Sequence, residues 1–196
     1  MPKHILIIDG HPDAGAGHYV HALSRAYRDG ARSRGHQVRA IFVSELWFPL
    51  LRTSEDFKTG MPSETIRKAQ EWLAWADHVV ILFPLWLGSM PALLKAFFEQ
   101  VLRPGFAFAT AGRGLFPQKK LLAGKSARII VTMGMPAWFY RWYFRAHSLK
   151  SLKRNVLRSC GFRPVRGCIV GAVETMSQAA RGRWLSKIQR LGAQAR

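Results

Sequence analysis

Glycines and histidines crowd the segment after the first apolar run, and together they could bind a phosphate. Residues 9–19 read DGHPDAGAGHY. Glycine lets the backbone approach a ligand closely, and a helix beginning near Gly17 would direct free amide groups and its positive dipole end at an anion. A plain strand-to-helix turn has a similar composition, and the segment matches neither a P-loop nor the Gly-x-Gly-x-x-Gly fingerprint. The candidate phosphate contacts are His11, Ala16, Gly17, His18 and Tyr19.

A second feature is apolar and aromatic. Residues 84–88 read PLWLG and follow the continuous apolar run 79–83, which is typical of a strand buried on both faces. Pro84 lacks a backbone donor, so we expect the strand to end there. Leu85, Trp86 and Leu87 would then lie at the carboxyl end of the strand, where open α/β sheets bind ligands. An exposed surface of this kind suits a flat apolar ring such as a flavin, whereas a tryptophan that fills the core is the alternative.

A third loop would complete the same crevice. Residues 132–136 read TMGMP and follow the apolar run ARIIVT, so Thr132, Met133, Gly134 and Met135 are further candidate contacts. Six aromatic residues lie within the next segment, 138–144, which is more than one helix face can bury. We expect some of them to line a pocket or a subunit contact.

Alternating strand and helix patterns would position these loops. Strands are predicted at His4–Ile8, Gln37–Val43, Val79–Phe83, Ala127–Thr132 and around Arg166–Val173. Helices are predicted at 18–34, 62–76 with Ser63 as a possible cap, after Pro91, at 137–159 in two pieces, and at 175–194; 44–61 and 103–125 are predicted loops. This pattern indicates one α/β domain, residues 1–196, with a flavodoxin-like, five-stranded parallel sheet of order 2-1-3-4-5 and helices on both faces. Strands 1, 3 and 4 would be neighbours, so the three loops would converge.

Composition limits the class of protein. The chain has 30 Lys and Arg against 11 Asp and Glu, a formal net charge of +19, but the basic residues are dispersed. Solvated basic faces are the favoured interpretation; a contact with an acidic partner or membrane surface stays open, and nucleic acid is disfavoured because no recognition motif is present. Two cysteines are too few for a disulfide framework, and nothing requires a metal. The N-terminus does not resemble a signal peptide and the longest apolar stretch is interrupted, so we expect a cytoplasmic protein.

These motifs resemble the NAD(P)H:quinone oxidoreductase family of diaphorase type, which is flavodoxin-like. The matching pieces are GHPD, FPLWLGSMPALLKAFFEQVLRPGFAF and TMGMPAWFYRWYF. The resemblance implies a tightly bound flavin, NAD(P)H as co-substrate, two-electron reduction of a quinone or similar aromatic acceptor, and a homodimer with sites at the subunit interface. It also implies that His11 and residues 16–19 contact the flavin phosphate, Pro84 to Leu87 the ring, and residues 132–135 its pyrimidine side.

The resemblance further implies an active-site tyrosine at Tyr140, with His147 as a second possible proton donor. The chain departs from the family at the phosphate loop, which is AGAGH, at the TMGM turn, and at the expected histidine position, which is Ala146 with His147 one place later. FMN is favoured because residues 44–61 offer no obvious adenine pocket; FAD, used by diaphorase-type members, is the alternative. Two other functions stay open: an azo- or nitro-compound reductase using the same site, and a flavin-binding ancillary subunit of a potassium efflux transporter.

Overall fold

Five parallel strands form the central sheet. The structure, a computed structural model, describes residues 1–109 and 119–196. The strands are β1 (His4–Asp9), β2 (Gln37–Phe42), β3 (His78–Pro84), β4 (Ser126–Thr132) and β5 (Val165–Val170). They are ordered β2-β1-β3-β4-β5, and every neighbouring pair is parallel. The predicted flavodoxin-like sheet and its strand order are therefore confirmed.

Helices connect the strands. They are α1 (Tyr19–Arg32), α2 (Ser54–Lys58), α3 (Glu64–Trp75), α4 (Ala92–Val101), α5 (Ala137–Trp142), α6 (His147–Ser151), α7 (Arg158–Cys160) and α8 (Gln178–Ala193), with a π-helical stretch Leu152–Leu157 between α6 and α7. Ser63 caps α3, since its hydroxyl accepts a hydrogen bond from the Ile66 amide at 3.4 Å. The helical segment 137–159 is in two pieces as predicted, because Arg145 and Ala146 adopt positive φ angles of 50° and 49°. Among helices of the described residues, none is both long and apolar enough to cross a membrane.

Two loop predictions were partly wrong. Segment 44–61 contains the end of a 3-10 turn, Val43–Glu45, and the short helix α2. Thr53 starts this helix, because its hydroxyl accepts a hydrogen bond from the Asp56 amide at 3.0 Å. Within 103–125, the two-residue strands Phe108–Ala109 and Lys119–Lys120 pair antiparallel. The rest of that predicted loop, residues 110–118, lies outside the described residues.

The apolar core has two parts, one on each face of the sheet. In β3, Val79, Ile81 and Phe83 pack into the part that contains side chains of α3 and α4. Val80 and Leu82 pack into the other part, which contains side chains of α1 and α8. Because successive side chains of a strand point to opposite faces, a strand buried on both sides must be apolar at every position. This explains the continuous run that the sequence displays.

Glycines bring α1 and α8 into backbone contact. A Cβ atom added at Gly30 would overlap the carbonyl of Gln189, and one added at Gly192 would overlap the carbonyl of Tyr27. Each helix therefore uses a glycine where it meets the backbone of the other. By contrast, a Cβ atom at Gly182, also in α8, would meet nothing within 4 Å.

We expect Gly30→Ala and Gly192→Ala each to lower the free energy of unfolding by about 1–3 kcal/mol, because the added methyl group forces the helices apart. Gly182→Ala is the matched control and should raise it by roughly 0.5–1 kcal/mol, since alanine favours the helix without a clash. Urea unfolding followed by circular dichroism measures all three. Equal stability of Gly30→Ala and Gly182→Ala would contradict the close packing.

Candidate functional site

The loops after β1, β3 and β4 lie side by side at the carboxyl edge of the sheet. The amide of Gly10 donates to the carbonyl of Leu82 at 2.7 Å, which joins the first loop to β3. The amide of Leu85 donates to the carbonyl of Thr132 at 2.7 Å, which joins the second loop to β4. The predicted convergence of the three loops is therefore present.

Side chains of the first loop hold its shape. His11 is buried, and its ring stacks on His18 with centroids 3.8 Å apart. The Nε2 atom of His18 lies 2.7 Å from Oδ2 of Asp13, whose Oδ1 accepts a hydrogen bond from the Gly15 amide at 2.8 Å. The His11 Nδ1 atom lies 3.1 Å from the Asp13 amide nitrogen. Ring stacking and hydrogen bonds within the loop thus hold its shape without a ligand.

A buried histidine–carboxylate pair lies beneath this loop. His21 Nδ1 lies 2.8 Å from Oδ2 of Asp9, and His21 Nε2 lies 3.0 Å from the Asp13 carbonyl. The His11 amide donates to the other carboxylate oxygen of Asp9 at 3.3 Å. Asp9, Asp13 and His21 were not among the site residues predicted from the sequence. Two sequence features could have indicated them. One is the pattern Asp-x-His-x-Asp at the end of the strand, and the other is the position of His21 three residues after His18 on one helix face.

Burial and neighbouring charges set the protonation of the loop. Burial lowers the pKa of His11, and the nearby His18 lowers it further. The hydrogen bond from Gly15 and the contact with His18 lower the pKa of Asp13. The His11 ring therefore remains neutral, and Asp13 remains a carboxylate, over a wider pH range than in a free peptide.

The start of α1 leaves its amide groups without a side-chain acceptor. His18 occupies the N-cap position but makes no side-chain capping bond, and the first turn contains no acidic residue. In contrast, Ser63 and Ser177 cap α3 and α8. Gly17 is open on its side-chain face, since an added Cβ atom would meet nothing within 4 Å. These backbone donors are available to an anion.

The second loop presents a hydrophobic surface on a tight turn. Trp86 and Ser89 exchange two backbone hydrogen bonds of 2.9 Å around Leu87 and Gly88, whose φ angles are 45° and 77°. Trp86 is 50% exposed and Leu87 fully exposed, so the tryptophan does not fill the core. The indole meets the His11 ring edge to face with centroids 6.1 Å apart. Pro84 is the last residue of β3, and Leu85 is half-buried behind the turn.

The third loop is fixed by the segment after β5. Thr132 and Met133 are buried, and the Met133 carbonyl accepts a hydrogen bond from the Val173 amide at 3.1 Å. The Met135 carbonyl accepts one from the Ala172 amide at 3.0 Å. Gly134 remains exposed between them.

The carboxylate of Glu174, a residue not predicted from the sequence, approaches the third loop. Its Oε1 lies 3.1 Å from where a Cβ atom of Gly134 would be. A side chain at position 134 would therefore crowd this carboxylate.

The candidate tyrosines point into the protein. Tyr140 is fully buried, and its hydroxyl oxygen accepts a hydrogen bond from the Leu149 amide at 3.3 Å. The Tyr19 hydroxyl donates to the Arg181 carbonyl at 2.8 Å, which ties it to α8. His147 is exposed, and its Nδ1 donates to the Phe144 carbonyl at 2.7 Å. The structure thus gives Tyr140 and His147 separate partners.

Comparisons with known proteins place the chain in a fold family. A model of the flavodoxin-like fold family matches residues 3–191. The ribosyldihydronicotinamide dehydrogenase (quinone) of Pongo abelii is 33% identical over 148 residues, which cover 71% of this chain and 62% of that protein. The chain thus spans less than two thirds of this relative's length. A glutathione-regulated potassium-efflux system ancillary protein of Cronobacter sakazakii is 38% identical over 91 residues, 45% of this chain and 46% of that protein.

Solved structures share the whole architecture. The NAD(P)H:quinone oxidoreductase from Methanothermobacter marburgensis superimposes with a TM-score of 0.81 and 21% identity, covering 98% of this chain and 96% of that one. At this identity the match bears on the fold alone. Together with the family model, it shows that the chain belongs to the flavodoxin-like family, and the resemblance to its quinone reductases, drawn from the three motifs, is confirmed.

Proposed function

We propose that residues 1–196 form a single flavin-binding domain that acts as an NAD(P)H:quinone oxidoreductase by a ping-pong, two-electron mechanism. The observation that carries this proposal is the half-exposed Trp86, beside the fully exposed Leu87, next to a helix start that lacks its own acceptor. Trp86 and Leu87 suit a flat aromatic ring, the helix start suits a phosphate, and both features lie at one edge of the sheet. The free thiols Cys160 and Cys168 are consistent with a reducing compartment such as the cytoplasm.

The first loop fits the phosphate end of a flavin. We assign this end to Ala16, Gly17 and His18, where exposed backbone precedes α1, with His11 supporting the loop from below. The backbone donors would be supplemented by the His18 ring, which Asp13 orients at 2.7 Å. Tyr19 would contribute its backbone amide, since its hydroxyl is bound to Arg181.

The second and third loops fit the ring. Leu87 holds a left-handed backbone conformation, which costs a non-glycine residue about 1–2 kcal/mol. Strain of this kind persists where surrounding structure and function require it. We infer that it serves to present Trp86 and Leu87 to the ring, with Pro84 and Leu85 behind them. Met133, Gly134 and Met135, after Thr132, would border the pyrimidine side.

Residues of the chain would bind and orient the flavin and the acceptor, and would protonate the acceptor. A bound flavin supplies two-electron transfer from NAD(P)H to the acceptor. Exposed His147, whose Nδ1 donates to Phe144, would in its imidazolium form carry a second proton on Nε2 and deliver it to a quinone oxygen. Tyr140 would position it, because its carbonyl accepts from the Ala146 amide at 3.1 Å and its hydroxyl from the Leu149 amide. Both bonds fix the bend that carries His147.

FMN is the cofactor that we propose, with FAD as the alternative. We also propose a homodimer whose contact includes the exposed aromatic side chains of Trp138, Trp142 and Tyr143, at 68%, 74% and 64% exposure. Aromatic residues at this exposure are typical of interfaces rather than of free surface.

An ancillary role at a membrane protein is the second candidate function, and one observation favours it. Residues 100–173 contain no Asp or Glu, whereas Lys150, Lys153, Arg154 and Arg158 follow one another along α6, the π-helical stretch and the start of α7. Such a surface would attract an acidic partner or an anionic membrane. Co-purification with a membrane protein and negligible turnover would favour this role over catalysis. An azo- or nitro-compound reductase would use the same site as the quinone reductase and differ only in the acceptor.

The purified protein is expected to show flavin absorbance, or to bind added FMN, and to oxidise NAD(P)H with a benzoquinone as acceptor. Mass spectrometry of the released cofactor distinguishes FMN from FAD. Turnover of roughly 1–1000 per second would be in the range of enzymes. A colourless protein that binds neither flavin would contradict the proposal.

Leu87→Gly should change protein stability and flavin affinity in opposite directions. We expect the flavin-free variant to gain up to about 1 kcal/mol, because relief of strain exceeds the entropic cost of glycine. Flavin should dissociate about 3–10-fold more readily, because apolar surface is lost. Leu50→Gly, at an exposed leucine without positive φ, is the control and should leave the flavin affinity unchanged. Unaltered flavin affinity in Leu87→Gly would remove this residue from the site.

His147→Gln is expected to lower kcat by about 10²–10⁴-fold for acceptors that need a proton, with little change in flavin affinity. Tyr140→Phe removes one hydroxyl from the buried core and should change kcat by less than tenfold while lowering the free energy of unfolding by about 1 kcal/mol. Stopped-flow measurement of the oxidative half-reaction compares the two. A larger kinetic effect from Tyr140→Phe than from His147→Gln would reverse the assignment.

A further inference from the structure

A cavity lined by polar and basic residues lies at the opposite, amino-terminal edge of the sheet. It has a volume of about 360 Å³ and is lined by the starts of β3, β4 and β5, by Lys3, and by the last residues of the chain after α8. Strands of six or seven residues span about 20 Å. The cavity is therefore separated from the three loops by the length of the sheet.

Strand register brings basic side chains together there. His78 of β3 pairs with Ser126 of β4, and Arg128 of β4 pairs with Arg166 of β5. His78, Arg128 and Arg166 lie two positions from Val80, Ile130 and Cys168, and Ser126 lies four positions from Ile130; Val80, Ile130 and Cys168 pack under α1 and α8. Because side chains alternate between faces, they all project on that same face.

The cluster carries positive charge without a matching acid. Lys3 and Arg166 line the cavity together with Arg196. Arg128 is buried beside them and donates through Nε to the Arg196 carbonyl. Within residues 1–109 and 119–196, the ion pairs involve none of these four cations. A carboxylate at Arg196 would offset one charge and leave the others.

Arg128 is the buried member of this cluster. Burial lowers the pKa of Arg128, and the nearby Arg166 and Arg196 lower it further. A buried charge is costly without a counter-ion, so an anion close to Arg128 would be stabilising.

His78 adds an unused donor. Its ring is 2% exposed, Nδ1 lies 2.7 Å from Oγ of Ser126, and Nε2 is buried and has no hydrogen-bond partner among the described residues. Burial, followed by the charges of Lys3, Arg128 and Arg166, lowers its pKa to about 3, so the ring is neutral near pH 7. The Ser126 hydroxyl lies closer to Nδ1, at 2.7 Å, than to the Asp77 carbonyl, at 3.5 Å, and donation to Nδ1 places the ring proton on Nε2.

We propose that this cavity binds a tetrahedral oxyanion, namely phosphate or the phosphate group of a small monoester. Lys3, Arg166 and Arg196 would supply charge, and His78 Nε2 a directed hydrogen bond. The same cations would repel a metal ion. The proposal does not depend on the flavin site, which would bind phosphate through the backbone amides of α1.

The test is calorimetric titration of inorganic phosphate into the 196-residue protein, loaded with FMN and then freed of unbound FMN, at constant ionic strength adjusted with chloride. Saturating the protein with FMN covers the other candidate phosphate site. We expect one phosphate per chain, and the double variant Lys3→Gln/Arg166→Gln should weaken binding at least tenfold. The control Arg183→Gln/Lys187→Gln removes two exposed charges from α8 and should leave the affinity unchanged. Methyl phosphate is titrated in parallel, and tighter binding of the ester would identify a monoester as the ligand.

A second readout follows the histidine itself. Nitrogen-15 spectra of labelled protein should show the His78 ring signals shifting with phosphate in the wild type and in the control variant, but not in Lys3→Gln/Arg166→Gln. Equal phosphate affinity in the wild type and the Lys3/Arg166 variant would overturn the proposal. Equal weakening in both double variants would also overturn it, since it would indicate a non-specific effect of net charge.

Discussion

The parallel pairing of β1, β3 and β4 is the constraint on which the candidate site depends. The register places Asp9 beside Leu82 and Pro84 beside Thr132, so the three strands end within about two residues of one another. Hydrogen bonds from Gly10 and Leu85 then extend the pairing into the loops. A shift of one residue in either pair would exchange the side chains that pack into the two parts of the core, which are shaped for different residues. The same burial that stabilises the core therefore sets the relative height of the three loops.

The contact between α1 and α8 gives this edge its rigid support. Close glycine packing fixes the later part of α1, and the Tyr19 hydroxyl fixes its start by bonding to the Arg181 carbonyl. The Arg181 guanidinium also lies over the Tyr19 ring, 5.0 Å from its centroid. Because α1 is held at both ends, its first amide groups point at a fixed place above the sheet. A preorganised anion site loses less entropy when the ligand binds.

The sequence predicted those features that local patterns determine, and missed those that depend on distant contacts. The apolar run of β3 and the Ser63 cap are local, and both predictions were confirmed. A residue that is distant in the sequence holds the segment that contains α2. The buried Arg103 donates hydrogen bonds to the carbonyls of Asp56 and Gly60. The pairing of His21 with Asp9 likewise joins a helix to a strand end. Residue periodicity carries no information about such partners.

The two edges of the sheet would therefore bind anions through different interactions. At the carboxyl edge the donors are backbone amides beside His11, whose pKa burial lowers, so attraction relies on dipoles and geometry. At the amino edge, attraction of an anion relies on the full charges of Lys3 and Arg166, which are exposed to solvent. Salt screens exposed charges more strongly than it weakens short, directed hydrogen bonds. Ionic strength should therefore affect the two edges unequally, and part of the chain's net charge of +19 then has a local role beyond solubility.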